Sequence, residues 1–138
     1  MPVRRLRGER GATTELVIIL PALLFLIFLG IQFALWFHAS HVALAAAQEG
    51  ARAARVANAT DPVSARGAEQ TGEDTANQFL SGVAPTLLSN TQVVARIDGR
   101  FDRVRVDVKG DGVTIVPGFT VKISEHSEGP VERFRPDS

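Results

Sequence analysis

Hydrophobic and polar positions along the chain fall into three regimes. From Leu16 to Phe37 the sequence reads LVIILPALLFLIFLGIQFALWF, 22 residues without a charged side chain. At 1.5 Å per residue a helix of that length reaches ~33 Å, enough for the ~30 Å hydrocarbon core of a bilayer. Lipid offers no partner to backbone N–H and C=O groups, so the segment is predicted to be helical. Pro21 falls in its second turn, where one lost backbone bond is tolerated when neighbours compensate. Gln32 is the one strongly polar side chain, near the outer end, and Trp36 stands where an interfacial aromatic anchor belongs.

The second regime is rich in alanine, the best helix former. Over residues 39–59 small side chains recur at Ala39, Ala43, Ala46, Gly50, Ala54 and Ala57, in steps of three and four that share one helix face. Such a face lets another helix or a sheet approach closely. The partner is either the rest of this chain or a neighbouring subunit. Thr60-Asp61-Pro62 then breaks the helix and starts another, with Asp61 as N-cap and Pro62 in the first helical position. The second helix is predicted from about Val63 to Leu80, weakened by Gly67 and Gly72. Gly82 and Pro85 punctuate a loop after it.

Beyond Asn90 the period becomes two. Val93, Ala95 and Ile97 alternate with Val94, Arg96 and Asp98. Val104, Val106 and Val108 alternate with Arg103, Arg105, Asp107 and Lys109. Gly99-Arg100-Phe101 fits a hairpin loop between them. Gly110-Asp111-Gly112 reads as the next turn, Val113 to Val116 as an extension of the sheet, and Pro117-Gly118 as an interruption. Phe119, Val121 and Ile123 begin a further strand, and the residues from Gly129 on lack periodicity. The fold class is α+β: a long N-terminal transmembrane helix continuing outside, a second short helix and a three- or four-stranded antiparallel sheet. The strands' apolar faces need a cover, and the outer half of the long helix is the natural one.

Charge sets the orientation. Arg4, Arg5, Arg7 and Arg10 precede the apolar run with only Glu9 among them, and the far flank has no Lys or Arg until Arg52. Basic flanks stay in the cytoplasm. The expected place is therefore the inner or plasma membrane, crossed once, with the N-terminus cytoplasmic and the C-terminus extracytoplasmic. The organisation follows: residues 1–15 a basic cytoplasmic leader, 16–37 the transmembrane helix, 38–60 its extramembrane continuation, 61–128 a small α+β domain, and 129–138 a loose tail. A secretory signal peptide competes, since Ala43-Leu44-Ala45 and Ala45-Ala46-Ala47 imitate cleavage sites. Its apolar stretch, however, runs to only about 7–15 residues.

Composition removes several chemistries. The 138 residues carry 15 basic and 15 acidic side chains, for a net charge of zero, so no global basic field points to nucleic acid. With no cysteine there is no disulfide, thiol nucleophile or thiolate metal ligand. His38 and His41 stand three apart without a third ligand nearby in sequence, and are read as interfacial polar residues. Glu69, Glu73 and Asp74 are read as a solvated face. Asp98, Asp102, Asp107 and Asp111 suit turns better than a calcium loop. His126 and the serines sit in no nucleophile-elbow context, and Gly110-Asp111-Gly112 lacks the lysine and helix of a phosphate loop. No cofactor and no enzymatic activity are expected.

The stretch Arg10-Gly11-Ala12-Thr13-Thr14-Glu15-Leu16-Val17, followed by an apolar run containing Pro21, resembles the start of TadE-like minor pilins. These belong to the tight-adherence (Flp) pilus machinery, a branch of the type IV pilus and secretion family. Ala46-Ala47-Gln48-Glu49-Gly50-Ala51-Arg52-Ala53-Ala54 is similar to the alanine-rich stretch that follows the membrane helix there, and Ser127-Glu128-Gly129-Pro130-Val131-Glu132-Arg133-Phe134 is similar to the end of some members. The resemblance implies a pseudopilin-like subunit that assists assembly, initiation or anchoring of the pilus or a related secretion apparatus. Its partners would be the bilayer, other pilin-like subunits, the pilus machinery and a prepilin peptidase. It implies cleavage after Gly11, leaving Ala12 as the new N-terminus and the basic tail as the removed leader. A glutamate usually stands fifth in the mature family members; Glu15 would be fourth. Paired with the freed amine of a neighbouring Ala12, Glu15 would set the register between subunits. The alternative is a carboxylate at headgroup level favoured by the helix dipole. A generic single-pass anchored interaction domain, with no pilus role, is the alternative to the whole reading.

Overall fold

The computed structural model describes residues 9–60, 64–100, 102–116 and 118–131, with side chains from Thr14 onward. The elements run α1 (Glu9–Thr60), α2 (Ala65–Val83), β1 (Leu88–Asp98), β2 (Arg103–Gly112) and β3 (Val121–Pro130). The chain divides into two compact units, Met1–Ala34 and Leu35–Ser138. In the first, the described residues are helical throughout, Pro21 included.

In the second unit the three strands form one antiparallel sheet in the order β1-β2-β3. The period-two pattern does what the alternation predicts. Val104, Val106 and Val108 are fully buried, while Arg103, Arg105 and Lys109 on the other face are exposed. The buried face also carries Ala95 and Ile123, and it packs against alanines of α1 together with Ala76 and Leu80 of α2. Burying a valine fully contributes about 1.5–3 kcal/mol. The central strand β2 thus supplies the densest part of a small core, with alanine on the helices letting the backbones approach.

Several boundaries differ from the sequence expectation. The α2 helix begins at Ala65 with Ser64 in the N-cap position, and Ser64 makes no capping side-chain bond. Asp61 and Pro62, expected to cap and open it, lie outside the described residues. Gly110-Asp111-Gly112 is not a turn. It continues β2, paired with Leu88 and Ser89 on one side and with Val121, Lys122 and Ile123 on the other. Hydrogen bonding on both edges holds residues whose composition alone favours a turn. β1 accordingly starts at Leu88, with a bulge between Ser89 and Gln92 where Asn90 takes a left-handed φ of 50°. Val113 to Val116 leave the sheet and form a loop instead of a strand. Gly129 and Pro130, placed in the tail, are the end of β3, and Val131 after them is buried, its N–H donating to the Asp102 carbonyl. They are held because β3 pairs with β2 as far as Arg103.

Candidate membrane anchor and packing surfaces

The apolar run of α1 is exposed along its length. From Leu16 to Phe37 every residue is exposed except Gln32 and Leu35, which are half-buried. Phe25 shows 68% of its surface and Phe33 62%. None of the helix's most hydrophobic stretch is buried within the chain. A soluble protein does not leave that much contiguous apolar surface in water. In length and composition this helix is able to cross a membrane. Glu15 is exposed at its start. Arg4, Arg5 and Arg7 lie outside the described residues. Arg10, Gly11 and Ala12 lie on the helix, but their side chains are outside the description.

Past Leu35 the helix changes partner. Ala39, Ala43, Ala46 and Ala54 are at most 1% exposed, Gly50 is buried and Ala57 half-buried. This stripe is filled by the chain itself. A Cβ on Gly50 would lie 2.7 Å from the Gly72 carbonyl, 3.0 Å from the Ala76 methyl and 3.4 Å from Val106. A Cβ on Gly72 would lie 2.9 Å from both the Ala54 methyl and the Gly50 carbonyl. The two helices therefore cross at a pair of glycines, directly over β2. Of the two partners open to such a stripe, the rest of this chain is the one that covers it here, through α2 and the sheet.

Gly72 was not singled out for this contact in the sequence, where it reads only as a weak point in α2. The usable signal was its place in a second small-residue row, Ala68-Gly72-Ala76-Leu80, at four-residue steps. All four are buried.

The same helix closes the outer edge of β1. Glu73 Oε1 accepts a bond from the Ala95 N–H at 2.9 Å, and Glu69 Oε1 accepts one from the Ile97 N–H at 2.8 Å. These carboxylates are not merely solvated, as their composition suggests. They satisfy two donors on an edge that would otherwise offer itself to another strand. Asp74, the third of the group, is exposed.

The outer face of the sheet is charged. Arg105 grips Asp107 through two nitrogens, at 2.8 and 3.1 Å, and reaches Glu128 at 3.9 Å; Arg103 meets Glu128 at 2.8 Å. The hydrogen bond and charge of Arg105 hold the Asp107 carboxyl below its ordinary pKa. Asp98 accepts from the Arg100 N–H at 2.9 Å, the turn role expected of it, and Asp111 accepts from the Asn90 amide at 2.9 Å. His41 packs edge-on against Phe37 with ring centroids 4.3 Å apart. Among the described residues no three His, Cys, Asp or Glu side chains come together as a metal site.

Residues 11–52 match the family described as TadE-like protein. The matched stretch takes in the exposed apolar run and most of the alanine stripe, and ends before α2. No curated protein and no solved structure gives a significant match to the chain.

Proposed function

We propose that this chain, TadE-like over residues 11–52, is a pilin-like membrane subunit that helps assemble, initiate or anchor a Tad pilus or a related secretion apparatus. The observation that carries the reading is the coincidence of two features in one segment. The bare apolar run, long enough to cross a membrane, lies wholly within the residues that match the family.

The roles divide along α1. The bare portion holds the subunit in the bilayer, with the basic N-terminal residues inside and the sheet unit on the extracytoplasmic side. Because the Ala39–Ala54 stripe is filled from within, contact with other subunits falls to the apolar run and to Glu15 at its start. A prepilin peptidase acting after Gly11 would free the Ala12 amine three residues from Glu15, which supports a charge pair between neighbouring helices. The sheet unit, with its charged outer face, meets partners in the envelope. The reading requires no catalysis and no cofactor.

The test has three parts. The protein should stay with membranes through alkaline carbonate extraction. Sequencing its mature N-terminus should return Ala12. Deleting its gene should abolish Tad-dependent pili while leaving the other machinery proteins at normal levels. A soluble fragment beginning near Ala46 would establish the signal-peptide alternative and end the proposal.

A further inference from the structure

The two ends of the sheet unit differ sharply in polarity. At one end lie the β1–β2 hairpin and the close of β3, with Asp98, Arg100, Asp102, Arg103 and Glu128. At the other end lie the α2–β1 connection and the β2–β3 loop. Between Asp74 and Arg96 there is no charged residue, and none between Asp111 and Lys122. Instead this end displays apolar side chains to solvent: Val83 is 58% exposed, Val113 41%, Ile115 44%, Val116 41% and Phe119 69%. The loop that carries most of them is tied down, with the Val113 N–H bonded to the Leu87 carbonyl at 3.0 Å and that of Phe119 to the Val116 carbonyl at 3.4 Å.

Packing within the unit tells which end this is. Along α2, Glu69 bonds Ile97 and Glu73 bonds Ala95, the register partners of Val104 and Val106. The α2 helix runs against α1 in reverse, with Gly72 at Ala54 and Ala76 at Gly50, and Gly50 also lies against Val106. Moving up β2 therefore means moving back along α1. From Val106 to Gly112 is six residues, about 20 Å of strand. The same distance along a helix is about 13 residues, which leads from Gly50 back to the neighbourhood of Phe37. One further observation agrees. The α2 helix, which crosses α1 at Gly72, ends at the same level with Val83. The apolar end is thus level with Trp36 and Phe37, where the apolar run finishes.

We propose that the β2–β3 loop, through Val113, Ile115, Val116 and Phe119, and the end of α2, through Val83, insert into the headgroup–acyl boundary of the bilayer that α1 crosses. The occupant of this patch is lipid. Side chains held at the depth of the last membrane-embedded turn meet that layer before any soluble partner. An uncharged apolar cluster gains there what it loses in water. Lys122, exposed at the loop's end, is placed to meet lipid phosphate. The sheet unit then has a second point of contact with the membrane. This inference rests on the reading of α1 as a membrane anchor.

The chain has no cysteine, so single-cysteine probes need no background removal. Trp36→Cys, Ile115→Cys, Phe119→Cys and Arg100→Cys are each labelled with a spin label or an environment-sensitive fluorophore. The full-length protein is reconstituted in phosphatidylglycerol/phosphatidylethanolamine vesicles at high lipid-to-protein ratio. We expect a lipid-borne quencher to act at positions 36, 115 and 119 at least five-fold more strongly than at 100. A label at 36 in lipid with those at 115 and 119 reached by water-soluble quencher, as at 100, overturns the docking while leaving the anchor standing. Labels at 115 and 119 shielded from both quenchers also overturn it, since protein then covers the patch. A label at 36 in water overturns the anchor itself, and the docking with it.

Discussion

Gly50 and Gly72 face each other across the α1–α2 crossing so closely that a methyl group on either would run into the other's carbonyl, at 2.7 and 2.9 Å. The obstacle is backbone, which cannot swing aside as the end of a side chain would. The helices are set at this distance by the absence of two Cβ atoms, and that distance seats them on β2.

Substitution at the crossing should therefore destabilise despite a better helix former. Alanine gains up to about 1 kcal/mol of propensity over glycine in a helix interior, while overpacking costs about 1–3 kcal/mol. Gly50→Ala and Gly72→Ala should each lower stability by roughly 1–2 kcal/mol. The double variant should lose less than the sum, since both strain one contact. Gly82→Ala, with nothing within 4 Å of its new methyl, should be neutral or stabilising. Thermal unfolding of the detergent-solubilised chain, followed by circular dichroism, checks all three; an unperturbed melt for Gly50→Ala would mean the helices do not cross here.

The carboxylates of Glu69 and Glu73 make a second prediction, local in character. A hydrogen bond to a charged group contributes about 1.5–3 kcal/mol in a protected setting, and less here because both side chains are only half-buried. Glu73→Ala should raise hydrogen exchange at the Ala95 amide by roughly five- to ten-fold, with little change at the centre of β2. Glu73→Gln, which retains an acceptor oxygen, should restore most of the protection. Equal exchange in all three proteins would show that the edge is closed by something other than Glu73.

How much of this was open to sequence reasoning depends on the range of each interaction. Val104, Val106 and Val108 announce their strand because alternation is a local property and each valine is fully buried. The apolar run announces a helix long and apolar enough to cross a membrane for the same reason. Glu69 and Glu73 could not be placed, because the donors they satisfy lie 28 and 22 residues further on. Gly110-Asp111-Gly112 misled because turn composition is local, whereas pairing on both edges is not. The alanine stripe was legible as a surface that wants a close neighbour, but a row of small residues says nothing about whose backbone comes. Gly72 supplies that answer only once the two helices are placed side by side.

Acid should weaken the outer face of the sheet. Asp107 has its pKa lowered chiefly by the hydrogen bond from Arg105, so it binds its proton less readily when folded than when unfolded. Its contribution is complete above the unfolded value of about 3.9. It is lost as pH falls from there through the lower folded value. Because the pair is largely exposed, the contribution is under about 1 kcal/mol. A proton titration by NMR should find Asp107 below the ordinary aspartate range, and Arg105→Gln should return it toward that range. If the titration is the same with and without Arg105, the fork seen between these side chains does not persist in solution.

The last prediction concerns Glu15, exposed where α1 enters its apolar run. If Glu15 serves only the helix dipole, removing it costs a few tenths of a kcal/mol, and neither insertion nor assembly should notice. If it pairs with the freed Ala12 amine of a neighbour at the edge of the hydrocarbon layer, the loss falls on association, and each 1.4 kcal/mol is ten-fold in an equilibrium constant. The register role predicts the second case. Glu15→Ala should stay in the carbonate-resistant membrane fraction at normal levels yet reduce Tad-dependent surface pili by about ten-fold or more. Glu15→Gln should resemble it, since an amide keeps the size and loses the charge, and Glu15→Asp should retain part of the function. Blocking cleavage with Gly11→Leu should match the loss seen in Glu15→Ala, and combining the two should add little, because both remove one side of the same pair. Normal piliation in Glu15→Ala would leave the apolar helix as anchor and strip it of the register role.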